Sequence, residues 1–144
     1  MKNAFVQYFI MLLVAIIIFF YALYQGLPQS IWLNDASHFT SVIWLVLLYS
    51  LFRIGKQSWE LNWRNCDKIL ADDWGVFATY ACPMLGIIGT TYGLSLQATV
   101  LASGSVGLVP LTTSLYTTMV GAGAGLMVYL FHYTLVAHAK KLSS

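Results

Sequence analysis

Two stretches of small and hydroxyl-bearing residues interrupt apolar segments that are long enough to cross a bilayer. Residues 83–94 read PMLGIIGTTYGL, and residues 114–125 read SLYTTMVGAGAG. A helix that faces only lipid needs no such residues, whereas a helix that packs closely on others or lines an ion path does. Hydroxyl groups in such a path can orient water or ligate a dehydrated ion, so the candidate chemistry is ion conduction.

Glycine spacing places close-approach residues on one face of each helix. Gly86, Gly89 and Gly93 follow one another at steps of three and four residues, so they form one stripe. Gly121 and Gly125 repeat the pattern on the next apolar segment. Pairs of small residues four apart let helix backbones approach, and we therefore expect these glycines to mediate helix packing.

Serine and threonine residues accompany both glycine stripes. Thr90 follows Gly86 by one turn, and the pattern predicts a matching face on the next helix that comprises Ser114, Thr118, Ala122 and Gly125. The residues that we expect to line an ion path are Thr90, Thr91, Ser114, Thr117 and Thr118. The plainer alternative is that each hydroxyl bonds to a carbonyl one turn back in its own helix.

Composition defines the broad class of the protein. Of the 144 residues, 59% are hydrophobic and 8% are charged, whereas soluble domains are about 25% charged. The chain is therefore predicted to be an all-α integral membrane protein that forms a single domain over residues 1–144. The net charge of +2 gives no basic patch for nucleic acid. No nucleophile–base set or metal-ligand cluster occurs, so we expect neither an enzyme nor a cofactor or metal.

Four segments are close to or longer than the ~20 residues that a membrane-crossing helix needs. The predicted spans are residues 5–24, 36–52, 74–100 and 108–138, with a loop at residues 53–73. Residues in this loop recur at helical spacing (Trp59, Trp63, Cys66 and Leu70), which favours a helical extension at the membrane surface or against a neighbouring subunit. A docking surface for a cytoplasmic partner is the alternative. The first span is longer than the core of a signal peptide and is expected to be retained. Asn34 or Asp35 is predicted to cap the second span, and Asp72 or Asp73 the third.

The cationic residues predict the orientation of these spans. If the chain crosses the membrane four times, all seven Lys and Arg residues fall on the same side: Lys2, Arg53, Lys56, Arg64, Lys68, Lys140 and Lys141. Cationic residues collect on the cytoplasmic side. Both termini and the 53–73 loop are therefore predicted to be cytoplasmic.

The two glycine-threonine segments resemble a known family. Residues 83–94 resemble the P-x-L-G-L-L-G-T-V-x-G-M segment of the MotA/TolQ/ExbB proton-channel family. Residues 114–126 resemble the A-L-x-T-T-x-x-G-L segment on the next helix of that family. The two motifs occur in the same order and orientation as in the family, and the likeness covers roughly residues 76–136.

This resemblance implies a fold, a partner and a location. It implies a homopentameric ring in the bacterial inner membrane, built around transmembrane helices of a single-span partner similar to MotB, TolR or ExbD. An aspartate in the partner's membrane helix takes up and releases the ion. Thr90 and Thr118 match the two lining threonines, and Pro83 matches a helix-start proline that acts as a hinge in the power stroke. Thr113 stands where TolQ- and ExbB-like chains often have a glutamate.

The ionisable residues bear on the competing function classes. No Asp, Glu, Lys or Arg falls in the middle of a predicted span. Since an intramembrane ionisable residue is the usual ion carrier, the chain is predicted to be half of an ion pathway. A small four-helix transporter would need a membrane-embedded carboxylate of its own. A structural membrane scaffold would need the glycines but not the threonine rows, and it stays open as an alternative.

Overall fold

The part of the chain that the structure describes forms four long helices. The computed structural model describes residues 4–26, 38–61, 69–104 and 109–143, and no strand occurs among them. The helices are α1 (Ala4–Tyr24), α2 (Phe39–Glu60), α3 (Trp74–Ala102) and α4 (Val109–Ser143).

Each of the four helices is long and apolar enough to cross a membrane. They contain 21, 22, 29 and 35 residues in chain order, and about 20 residues are enough to span the hydrocarbon core. Along the described helix α1 only Ala4 is buried, which suits a helix whose apolar side chains face lipid. Among the described residues, the predicted all-α fold with four helices capable of crossing a membrane is therefore confirmed.

Helices α3 and α4 share the most extensive contact. Helix α2 packs across both of them, whereas α1 lies on the outside against α2 and α4. The core combines branched and aromatic side chains of α2 and α4, among them Ile43, Leu47, Ile54, Val128, Phe131 and Leu135. The small residues of α3 let the other helices come close to its backbone.

Contacts near the helix ends show that neighbouring helices run antiparallel. Phe5, near the start of α1, contacts Trp59, near the end of α2, with ring centroids 5.2 Å apart. Gly75, at the start of α3, packs against His132 of α4. One end of the bundle, called the cationic end below, therefore carries all described Lys and Arg residues: Arg53, Lys56, Lys140 and Lys141. Its cytoplasmic placement stays a prediction.

Helix α2 begins later than the predicted start at residue 36. It starts at Phe39, directly after His38, whose φ of 56° lies in the left-handed region. A helix cannot continue backwards through such a residue, because right-handed helix requires negative φ. The predicted caps Asn34 and Asp35 lie outside the described residues.

Helix α2 also continues beyond residue 52, where the predicted span ends. It runs to Glu60, and Ile54 and Ser58 are buried in this extension. The Tyr8 hydroxyl donates a hydrogen bond of 2.8 Å to the Leu51 carbonyl, which holds α1 against the same part of α2. Tertiary packing therefore makes the first part of the predicted 53–73 loop helical.

Helix α3 begins beside two aspartates, and Pro83 lies well inside it. Asp73 occupies the N-cap position without a side-chain hydrogen bond. The Trp74 backbone N–H instead donates to Asp72 Oδ1 at 3.3 Å. The interior position of Pro83 agrees with the predicted span of 74–100, and its role as a hinge stays a prediction.

Candidate functional site between the third and fourth helices

The contact between α3 and α4 is built from small residues. The buried positions of α3 follow one another at steps of three and four residues: Gly75, Ala78, Cys82, Gly86, Gly89 and Gly93. The opposing buried positions of α4 are Ser114, Thr117, Gly121, Ala124, Gly125 and Val128. All five glycines predicted to mediate packing are therefore buried.

Gly86 and Gly121 bring the two backbones together. A Cβ added at Gly121 would lie 2.6 Å from the Cys82 carbonyl oxygen and 2.9 Å from Gly86 Cα. A Cβ at Gly86 would lie 3.0 Å from the Thr117 carbonyl oxygen. These neighbours are backbone atoms, which cannot rotate away. The crossing therefore requires glycine at position 121, and a Cβ at position 86 would fit only if the facing backbone shifted by a few tenths of an ångström.

Pro83 and Gly125 form a second close contact, one turn along α4. A Cβ at Gly125 would lie 2.7 Å from Pro83 Cδ and 2.9 Å from the Thr79 carbonyl oxygen. Proline has no N–H to donate to the carbonyl four residues earlier. At this point of α3, Pro83 therefore acts as a packing surface for Gly125.

Thr90 and Thr118 meet across the interface. Their Oγ1 atoms are in hydrogen-bond contact. Thr90 Oγ1 also lies 2.8 Å from the Gly86 carbonyl oxygen and 3.2 Å from that of Ser114. Thr118 Oγ1 lies 3.0 Å from the same Ser114 carbonyl. Two hydroxyls and two carbonyl oxygens from both helices thus converge at one level of the bundle.

This oxygen cluster has more acceptors than protons. Each threonine hydroxyl carries one proton, so Thr90 can donate to only one of its three neighbours at a time. Alternative hydrogen-bond arrangements are therefore available without movement of heavy atoms. Both threonines are partly exposed at the edge of the interface. Such a cluster can donate a hydrogen bond to an approaching water molecule or provide oxygen ligands for a cation.

The other predicted lining residues are arranged differently. Ser114 is buried, and its hydroxyl donates to the Leu111 carbonyl at 2.7 Å. Thr117 is also buried, with its methyl group against Gly89. Thr91 is exposed and donates to the Ile88 carbonyl of its own helix at 2.8 Å. Of the five residues, only Thr91 lies away from the α3–α4 contact.

Ala122 does not belong to the predicted face of α4. It is exposed, whereas Ser114 is buried and Thr118 is partly buried. Repeated steps of four residues rotate by about 40° each around a helix of 3.6 residues per turn, so the third member leaves the contact. Alternating steps of three and four, which reach Thr117 and Gly121, keep the stripe facing α3.

A polar cluster at the cationic end was not anticipated from the sequence, where Asp72 was considered only as a helix cap. Arg53 Nη2 lies 2.6 Å from Asp72 Oδ1, and Gln57 Nε2 donates to Asp72 Oδ2. Trp74 Nε1 donates to Ser50 Oγ at 3.1 Å. These bonds join the end of α2 to the start of α3. The sequence signal for this cluster is that Arg53 and Asp72 carry opposite charges and lie at the same end of the predicted spans.

The described parts of the helices carry Asp, Glu, Lys and Arg only near the cationic end. No group of three or more His, Cys, Asp or Glu residues in those parts could hold a metal ion. Comparison of the chain with protein-family models, curated proteins and solved structures finds no match. The resemblance to the MotA/TolQ/ExbB family therefore rests on residues 83–94 and 114–126 and stays a prediction.

Proposed function

We propose that this chain is the ring subunit of an ion-driven motor in the bacterial inner membrane. Five copies surround transmembrane helices of a single-span partner that resembles MotB, TolR or ExbD. Proton or sodium flow along the ring is converted into mechanical work at the cell envelope.

The observation that carries this proposal is the meeting of the Thr90 and Thr118 hydroxyls. The two segments that resemble the family are separated by residues 95–113, yet they pack antiparallel with these threonines in contact. Both side chains are partly exposed, which leaves them within reach of a helix placed against the bundle.

The lack of a charge carrier supports the need for a partner. Hydroxyl groups do not titrate in the physiological range, and ion carriers inside membranes are usually ionisable side chains. In the proposed complex the partner's aspartate takes up the ion, and Thr90 and Thr118 hold water or the ion beside it.

The test substitutes valine for threonine at each of the two positions. Valine keeps the β-branch and almost the same shape, and a lost hydrogen bond costs only about 0.6 kcal/mol on average in membrane proteins. We expect Thr90→Val and Thr118→Val rings to contain the same number of subunits as the wild type in native mass spectrometry. In liposomes that contain the ring and its single-span partner, we expect ion flux to fall to the level without partner.

Thr134→Val is the matched control on α4. The Thr134 hydroxyl also donates to a carbonyl one turn back, that of Leu130, at 2.8 Å. It lies towards the cationic end, far from the Thr90–Thr118 contact, so its loss is expected to leave flux unchanged.

A structural scaffold is the second candidate function. The Thr90 and Thr118 hydroxyls have helical carbonyls within hydrogen-bond distance, as packing threonines do. If all three valine variants conduct like the wild type, the threonines are packing residues and the motor proposal fails.

A further inference from the structure

A pocket of about 480 Å³ opens at the cationic end of the bundle. One wall is a single face of α2 that is formed by Tyr49, Phe52, Arg53, Lys56, Gln57 and Glu60. Among the described residues, the segment before α3 contributes Ile69, Ala71 and Asp72 to the lining. The pocket lies beside the start of α3, whereas Thr90 lies near the middle of that helix, so the pocket is separate from the proposed ion path.

The lining changes from apolar to charged along α2. Tyr49 and Phe52 are 51% and 73% exposed, and they lie one turn before Arg53 and Lys56, respectively, on the same face of α2. Lys56 follows with a side chain that is 68% exposed. Exposed aromatic residues beside cationic ones are typical of the level where acyl chains give way to headgroups. A phospholipid has the same order of polarity along its length.

Two charges of the pocket are bound tightly to each other. The Asp72 side chain is 10% exposed and receives hydrogen bonds from Arg53, Gln57 and the Trp74 backbone. One guanidinium nitrogen of Arg53 makes this contact, and its side chain is still 38% exposed. Arg53 therefore has further N–H donors for a phosphate at the pocket surface.

Lys56 and Glu60 form a looser pair. Lys56 Nζ lies 3.8 Å from Glu60 Oε1, and the side chains are 68% and 34% exposed. Exposed pairs of this kind are worth ~0–1 kcal/mol, so a ligand can replace the contact at little cost. The described lining carries two cationic and two anionic side chains. A zwitterionic headgroup matches this balance better than an anionic one.

We propose that the pocket binds a glycerophospholipid with a phosphoethanolamine headgroup. The phosphate lies against Lys56 and Arg53, and the primary ammonium lies against Glu60. An acyl chain follows Phe52 and Tyr49 towards the membrane centre. A lipid held in this way contacts both α2 and the segment that leads into α3.

The test measures which lipids stay bound when the protein leaves a bilayer. The full chain is placed in nanodiscs that contain equal amounts of phosphatidylethanolamine and phosphatidylglycerol, then released and weighed by native mass spectrometry. We expect preferential retention of phosphatidylethanolamine. Lys56→Ala is expected to lower that retention about fivefold, which corresponds to ~1 kcal/mol for one lysine at a membrane surface.

Two further variants separate the site from general charge effects. Lys140→Ala removes a cation at the same end of the bundle that does not line the pocket, and it should retain lipid like the wild type. Glu60→Gln removes the expected partner of the ammonium. It should abolish the preference for phosphatidylethanolamine over phosphatidylglycerol.

Several results would overturn the proposal. Equal losses in Lys56→Ala and Lys140→Ala would mean that the lysines act only through surface charge. Preferential retention of phosphatidylglycerol, or an unchanged preference in Glu60→Gln, would exclude the zwitterionic site. Displacement of the lipid by equimolar soluble glycerophosphoethanolamine would show that the pocket recognises a free phosphate compound instead of a membrane lipid.

Discussion

Substitution of Gly121 by alanine tests the close approach of α3 and α4. The added Cβ would lie 2.6 Å from the Cys82 carbonyl oxygen, whereas ordinary contacts begin at 3.4 Å. The obstructing atoms belong to the α3 backbone, so no side-chain rotation relieves the clash. The helices must separate by about 0.8 Å, the difference between these two distances.

The size of the effect follows from that separation. A gap of ~0.5–1 Å forfeits a quarter to a half of the dispersion energy of the contacts involved. Overpacked positions in well-packed cores typically cost ~1–3 kcal/mol. Alanine also favours a helix over glycine by ~1 kcal/mol. The clash and this gain oppose each other, so a variant without a clash is needed for comparison.

Gly123→Ala provides that comparison. Gly123 lies two residues away on α4, and an added Cβ there meets nothing within 4 Å. The helix-forming gain is common to both variants, so the difference between them reports the clash alone. We expect Gly121→Ala to unfold more easily than Gly123→Ala by ~1–3 kcal/mol.

Each variant is dissolved in mild detergent and titrated with a denaturing detergent. Circular dichroism measures the loss of helix, from which the unfolding free energy is obtained. Equal unfolding free energies for the two variants, or a more stable Gly121→Ala, would refute the backbone contact between Gly121 and Gly86. Either result would also remove the reason for inferring that these two glycines mediate the packing of α3 against α4.

Three further predictions concern assembly, conduction and stability. The small-residue stripes and the family resemblance predict a closed ring of five chains, and a stable monomer in native mass spectrometry would contradict it. Without a titratable residue at the membrane centre, the chain alone should give no appreciable proton or sodium flux in liposomes. Robust flux without the partner would contradict this prediction. Asp72→Asn should lower the unfolding free energy by ~1 kcal/mol through weakened bonds to Arg53 and Gln57. Asp73→Asn is the control, since Asp73 makes no side-chain cap bond, and an equal effect in both variants would exclude the Asp72 cluster.

Local sequence was sufficient to predict four helices that are long and apolar enough to cross a membrane. In a bilayer core, an apolar segment must satisfy its backbone hydrogen bonds internally, and a helix is the one way a single segment does so. The four spans could therefore be identified from length and apolar composition. Charge at the helix ends likewise predicted that Arg53 and Lys140 lie at the same end of the bundle.

Packing decided where the second helix ends. The helical spacing of residues after Arg53 predicts a helical extension there, and α2 continues to Glu60 with Ile54 and Ser58 buried by other helices. The pair formed by Arg53 and Asp72 depends on the same packing. The sequence indicates that these two charges lie at the same end of the bundle, but only the packing of α2 against the start of α3 brings them into contact.

The sequence by itself determined that α3 and α4 carry small-residue stripes, because glycine spacing and helical periodicity are local properties. The tertiary structure alone decided which glycines touch. Gly121 and Gly123 belong to the same Gly-Ala-Gly-Ala-Gly run, yet one meets the α3 backbone and the other meets open space. In the same way, Thr90 contacts Thr118, while its neighbour Thr91 faces outward. The physical reason is that a sequence specifies the period of a helix, whereas its rotation and register against another helix follow from side-chain packing between them.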